Sequence, residues 1–320
     1  MLMRSKIHPH PEELPKGASR RMHNATAAFA LLIALAALCT SASAEEGEAL
    51  KGTLGHVKAT GAVTLGYRQA SIPFSYVGKS GAPTGYSIDL CNEVVADIAT
   101  ELEGTEIGTK YKPVTAETRI AAVKNGDVDL ECGSTTSNFE RKKEVAFSPI
   151  FFVAGTKLLV ARNSGIDSYR DLADKTVVVT AGTTNEGALR AIAQKQGIAL
   201  KLVIGKDHAD SLAMLTSGKA DAFATDDVLL YGFVATQHLG DGYHVIGDYL
   251  SYDPYGLMFR KDDGPFAALV ERTFTRLAQT RQIVQLYNRW FQTKLPTGEL
   301  IDLPMSPQLE EILRVQGVPD

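Results

Sequence analysis

The chain has 320 residues, 44% hydrophobic and 22% charged, with a formal net charge of −4. That length allows a large core and two domains. The mildly acidic balance, with no basic patch, argues against nucleic acid or an anionic membrane as partner, and no P-loop, nucleophile elbow or metal cluster is present.

The first 44 residues read as an export signal. Arg20 and Arg21 precede an uncharged apolar run from Ala25 to Cys39, and Thr40-Ser-Ala-Ser-Ala44 follows ahead of Glu45. This is a positive n-region, an h-region and an A-x-A site, with cleavage expected after Ala44 and Met22 as an alternative start. The run is too short and Ala-rich for a membrane span. Removing its five Lys/Arg and two Asp/Glu leaves 28 basic against 35 acidic side chains, a net charge of −7 over 276 residues. The mature chain is expected in the periplasm as a monomer. There Cys91 and Cys132 could pair, but the simpler reading makes them small buried core residues.

Leu50 to Val57 reads as a leader segment ending near Gly61. Ala62 to Arg68 is a strand with Arg68 at its carboxyl end. Ser71 to Tyr76 and Thr84 to Tyr86 flank a Gly/Pro-rich turn and read as a two-stranded flap. Ser87 to Ile98 carries apolar residues at 88, 91, 94, 95 and 98, a helical period. Glu106 to Val114 is a strand. Thr118 opens a helix that leads into the strand Gly126-Asp-Val-Asp-Leu130.

The chain is organised around the stretch that comes next, Glu131 to Lys143. A strand end meets a helix start across a glycine and a cluster of hydroxyls, Ser134, Thr135 and Thr136. Free backbone N–H groups and a positive dipole end make such a junction an anion cradle. Arg141 in the first helical turn opposes the dipole, which fits an anion held between them. A plain surface helix capped by Ser137 or Asn138 accounts for this stretch equally well.

Phe147 to Ala161 is a long extended run. Lys175 to Thr180 is a buried strand, and a helix begins within Ala181 to Ala188, where Thr183 and Glu186 form a capping-box pattern and a second cradle. A plain capped helix is the commoner meaning of that pattern. Ala199 to Ile204 is a strand, with Lys206-Asp-His208 after it. Ser211 to Phe223 then repeats the unit of Arg119 to Leu130: a short helix, a polar-Gly stop and an x-x-Asp-apolar strand. The first copy ends in Ser134 to Thr136, the second in Asp226. Amphipathic helices follow at 265–277, 282–291 and 306–315.

The repeat predicts an α/β protein of two similar lobes, residues 45–150 with 256–320 and residues 156–250, joined by crossings at 151–155 and 251–255. Ligands of open α/β sheets bind outside the carboxyl ends of strands. A cleft with Arg141 on one wall and Asp226 on the other suits a ligand carrying both signs of charge, of which an α-amino acid is the simplest.

These motifs resemble a known family. Gly66-Tyr-Arg68, Ser71-Ile-Pro-Phe-Ser-Tyr76, Glu131-Cys-Gly-Ser-Thr-Thr136, Glu140-Arg141, Val179-Thr-Ala-Gly-Thr-Thr184, Lys206-Asp-His208, Asp226-Asp227 and Tyr287-Asn-Arg-Trp-Phe291 are similar to those of the periplasmic solute-binding proteins of polar amino-acid ABC importers, family 3, above all its glutamate/aspartate-binding members. The resemblance covers nearly all of residues 50–292. It implies a type II periplasmic-binding-protein-like fold, no cofactor, an acidic amino acid as ligand and a membrane ABC permease as partner. By resemblance, Arg141 and Thr136 hold the α-carboxylate with backbone N–H groups near Thr183 and Thr184. Asp226 and the Ser134 to Thr135 region hold the α-ammonium, and Arg68, Arg119 and His208 hold the side-chain carboxylate. Ala116 departs from the pattern, since the glutamate/aspartate members have serine there, with Thr115 or a water as the expected substitute.

Three arginines against Asp226, with His208 able to protonate, favour an acidic ligand over an amide. Binding of glutamine or asparagine is the near alternative. A dehydratase on the same fold is the more distant one, since fold does not fix function.

Overall fold

The computed structural model describes residues 50–319, so the expected signal peptide lies outside the described residues. Two five-stranded sheets organise them. The first has the order β5 (Gly108–Pro113), β1 (Ala62–Tyr67), β6 (Leu130–Glu131), β15 (Met258–Arg260), β7 (Val145–Phe147). The second has the order β11 (Lys201–Gly205), β10 (Thr176–Thr180), β12 (Ala222–Asp226), β9 (Thr156–Ala161), β13 (Tyr243–Ile246).

The sheets match position by position. β1 and β10 each have two parallel neighbours. β6 and β12, the strands of the sequence repeat, each lie between a parallel and an antiparallel partner. The repeat is thus one supersecondary unit used twice, and the fold is the expected two-lobed α/β type. Between the sheets, β8 (Phe152–Ala154) pairs antiparallel with β14 (Asp253–Tyr255).

Strands of the second sheet are apolar on both faces, as a sheet covered by helices on both sides requires. Leu158, Val160, Val177, Val179, Ala222 and Ala224 face one apolar cluster, whereas Leu159, Val178 and Phe223 face another. In the first lobe, helix α2 (Tyr86–Glu101) buries Tyr86, Ile88, Leu90, Cys91, Val94 and Ile98. Phe74, Tyr86, Phe151, Phe152, Tyr255 and Phe291 form an aromatic cluster that includes both crossing strands. Each such side chain contributes roughly 1.5–3 kcal/mol of burial, so the crossings are anchored in the first lobe.

Four expectations are revised. The leader is helix α1 (Gly52–Thr60), stopped by Gly61 at φ 67° and anchored because Thr53 N and Oγ1 donate to Asp263 Oδ2 at 2.7 and 2.6 Å. The flap has three strands, β2 (Ala70–Ser71), β3 (Ser75–Val77) and β4 (Pro83–Thr84), because the chain turns back after Ser71. The Thr183/Glu186 capping box does not form. Thr183 Oγ1 donates to the Thr180 carbonyl, Glu186 pairs with Arg190, and the helix α5 (Asn185–Gln196) starts two residues later. Cys91 and Cys132 are a disulfide, not buried thiols, because α2 packs beside the end of β6 and brings their Cα atoms to 6.2 Å.

Candidate functional site

Four strand ends converge between the lobes. Arg68 follows β1, the loop 132–137 follows β6, Gly182 to Thr184 follow β10, and Asp226 closes β12. Arg119 opens helix α3 (Arg119–Lys124) and His208 opens helix α6 (His208–Thr216). Helix α4 (Phe139–Lys142) holds Arg141, with Asn138 capping through its side chain, which accepts from Arg141 N.

Together these residues surround a narrow cavity of about 10 Å³, about the space of one water. Arg68, Arg119, Ser134, Thr136, Thr183, Thr184, His208 and Asp226 line it, and so does Asn185, which sequence reasoning missed. Thr135 and Arg141 are not among the lining residues. Thr135 Oγ1 accepts from Arg119 Nη1 at 2.5 Å and donates to Glu131 Oε2 at 2.6 Å. Arg141 joins the lobes, donating from Nη1 to the Thr136 carbonyl at 2.9 Å and from Nη2 to the Gly182 carbonyl at 3.2 Å.

The site is fixed to the crossing strand β14. Ser137 N donates to the Pro254 carbonyl at 2.7 Å and Gly256 N to the Thr135 carbonyl at 3.1 Å. Thr136 and Thr184, one from each lobe, both donate to Asp253 Oδ1. Asp226 accepts from Asn185 Nδ2 at 2.7 Å and from the Tyr255 hydroxyl. Asn185 also donates to Thr156 Oγ1 at 2.7 Å, which locks its amide.

Burial, then Arg119, pushes the Arg68 guanidinium down to about 9, so it stays cationic at neutral pH. Burial and Arg119 likewise lower Arg141 to about 10. Burial, then Asp253, raises the Asp226 carboxyl to about 7. His208 is held well below its ordinary value by burial and by Arg68 and Arg119, which favours the neutral imidazole over the protonated form. Its Nδ1 lies 3.2 Å from Ser71 Oγ of the first lobe.

Buried polar atoms normally have partners. Here Arg68 Nη1, Arg119 Nε, Ser134 Oγ and His208 Nε2, all on cavity-lining residues, have none among the described residues. These are cationic donors, a hydroxyl and an imidazole nitrogen, a set suited to a small carboxylate-bearing molecule.

Two further contacts bear on the charge balance and on Ala116. The charge count of three arginines against Asp226 is incomplete, because Glu131 and Asp253 are also buried there. Thr115 does not replace the missing serine at Ala116, since its hydroxyl is taken up in a turn with Thr118. The signals for Asn185 and Glu131 were in the sequence only as a polar residue after Thr184 and an acid at a core strand's end.

The chain matches the sequence family described as bacterial extracellular solute-binding proteins, family 3, over residues 63–293. It is 43% identical over 266 residues to the L-glutamate/L-aspartate-binding protein of Pseudomonas aeruginosa, covering 82% of this chain and 88% of that one. It is 35% identical to the glutamate/aspartate import solute-binding protein of Escherichia coli K12, covering 88% and 94%. Among solved structures it is similar to an ancestral amino acid-binding protein described as a precursor of cyclohexadienyl dehydratase, with TM-score 0.65, 27% identity and coverage of 75% and 99%.

Proposed function

The chain belongs to the bacterial extracellular solute-binding proteins of family 3, and on that premise we propose that it captures L-glutamate or L-aspartate in the periplasm for an ABC permease. The carrying observation is the group of unpartnered polar atoms on Arg68, Arg119, Ser134 and His208 around one narrow cavity. The cavity as it stands, about 10 Å³, has room for about one water, so in this reading an amino acid enters only when the lobes separate.

In this reading Arg68 and Arg119 pair with the side-chain carboxylate, and the neutral His208 and Ser134 complete its hydrogen bonds. The α-carboxylate lies toward Arg141 and Thr136, beside backbone N–H groups at Thr183 and Thr184. Asp226 takes the α-ammonium, with Asn185 and Tyr255 orienting its oxygens. The lobes open and close about the β8–β14 pair, and contacts from both walls favour the closed form when ligand is present. The protein acts as a monomeric binder and not as an enzyme.

Isothermal titration with L-glutamate, L-aspartate, L-glutamine and L-asparagine tests this. Tight binding of the acids is expected, weakened at least about 100-fold in Arg68→Ala, since a charge-assisted hydrogen bond contributes ~1.5–3 kcal/mol and a buried carboxylate loses its partner. Absence of binding to all four would sink the reading. A dehydratase reading has one observation in its favour, the Asp226 carboxyl raised to about 7, within range of general acid–base work. Product formed from a prephenate-type substrate would favour it instead.

A further inference from the structure

Glu131 ends a strand in the middle of the first sheet and is fully buried, its Cα paired across the ladder with Gly66 and Met258. A carboxylate in such a place is costly unless charges or hydrogen bonds compensate it. Among the described residues, the only hydrogen bond to this carboxylate is the one that Oε2 accepts from Thr135, whose hydroxyl accepts in turn from Arg119. Oε1 has no hydrogen-bond partner among the described residues. It converges with Arg68 over Gly133, where an added Cβ would lie 2.2 Å from Oε1 and 3.0 Å from Arg68 Cγ. Only glycine lets the two side chains close over that turn. The carboxylate is therefore wired to Arg119 through Thr135 and packed against Arg68, beneath the two cations that face the cavity.

We infer that Glu131 sets the charge selectivity of the cavity, limiting its preference for an acidic over an amide side chain. This rests on the proposed amino-acid-binding function of the same site. With His208 neutral, Arg68, Arg119 and Glu131 carry a net charge of +1 at this end of the cavity. A ligand carboxylate is attracted by both guanidiniums and repelled by Glu131. A ligand amide of the same shape feels neither effect strongly.

The test is titration of the wild-type protein and of Glu131→Gln with L-glutamate and L-glutamine. The substitution keeps the shape and an acceptor for Thr135 but removes the charge. The ratio of glutamate to glutamine affinity is expected to rise about tenfold, equivalent to ~1.4 kcal/mol. A purely structural role would weaken both ligands together and leave the ratio unchanged. A wild-type protein that binds neither ligand overturns the functional reading itself. A wild type that binds, with an unchanged or lower ratio in the variant, overturns only the role of Glu131. If circular dichroism finds Glu131→Gln unfolded, Glu131→Met is read in the same way. Failure of both variants to fold or to bind either ligand assigns Glu131 a structural role and overturns the inference.

Discussion

Asp226 is the residue on which pH should act. Its carboxyl is raised from 3.8 to about 7 by burial and by Asp253. Such a group binds its proton more tightly folded than unfolded. Its contribution to stability is complete below about pH 4 and is lost as pH rises through about 7, at up to ~1.4 kcal/mol per pH unit. The ligand-free wild type should therefore lose stability relative to Asp226→Asn between those limits, read as the difference in urea midpoints. Equal slopes for the two proteins would contradict the assignment. At this scale motif and spacing marked Arg68, Arg119 and Asp226, which line the cavity, and Arg141, which does not. It placed His208 but not its charge, since burial beside two guanidiniums is a property of the assembled site.

At the scale of elements, the disulfide matters most. It ties α2 to the residue after β6, immediately before the loop carrying Ser134, Thr135 and Thr136. The sequence separation is 41, for which chain entropy implies about 4 kcal/mol of stabilisation. Cys91→Ala with Cys132→Ala should lower unfolding free energy by about 2–4 kcal/mol in urea titration. A loss below a few tenths would mean that packing alone holds the loop. The helix and strand periods made most elements legible, from Ser87 to Ile98 through the pair at 265–291. The α1 helix was not legible, since its start depends on Asp263, 210 positions away, accepting from Thr53. The Thr183/Glu186 pattern misled for a related reason: Thr183 finds the Thr180 carbonyl of its own turn before it can cap a helix.

For the whole molecule, the closure proposed above would involve backbone contact as well as charge. Gly182 of the second lobe has φ 73°, and a Cβ there would lie 2.5 Å from Glu117 Cα of the first lobe. Gly182→Ala should therefore impede the closed arrangement and weaken amino-acid binding at least about tenfold by titration calorimetry, as ~1.4 kcal/mol of closure energy is lost. The left-handed conformation adds only ~1–2 kcal/mol to the ligand-free protein's cost, so its melting point should shift modestly. Unchanged affinity would show that the two loops do not need to meet.

The sequence by itself determined the two-lobed α/β plan, the repeated helix–strand unit and the residues at the strand ends, because each is written in local periodicity or in a motif a dozen residues long. Only the tertiary structure decided that Cys91 meets Cys132, that Asn185 joins Asp226, that Glu131 and Asp253 enter the charge balance and that His208 favours its neutral form. Each of these depends on which distant groups share a buried space, and burial sets both the cost of a charge and the partners that offset it.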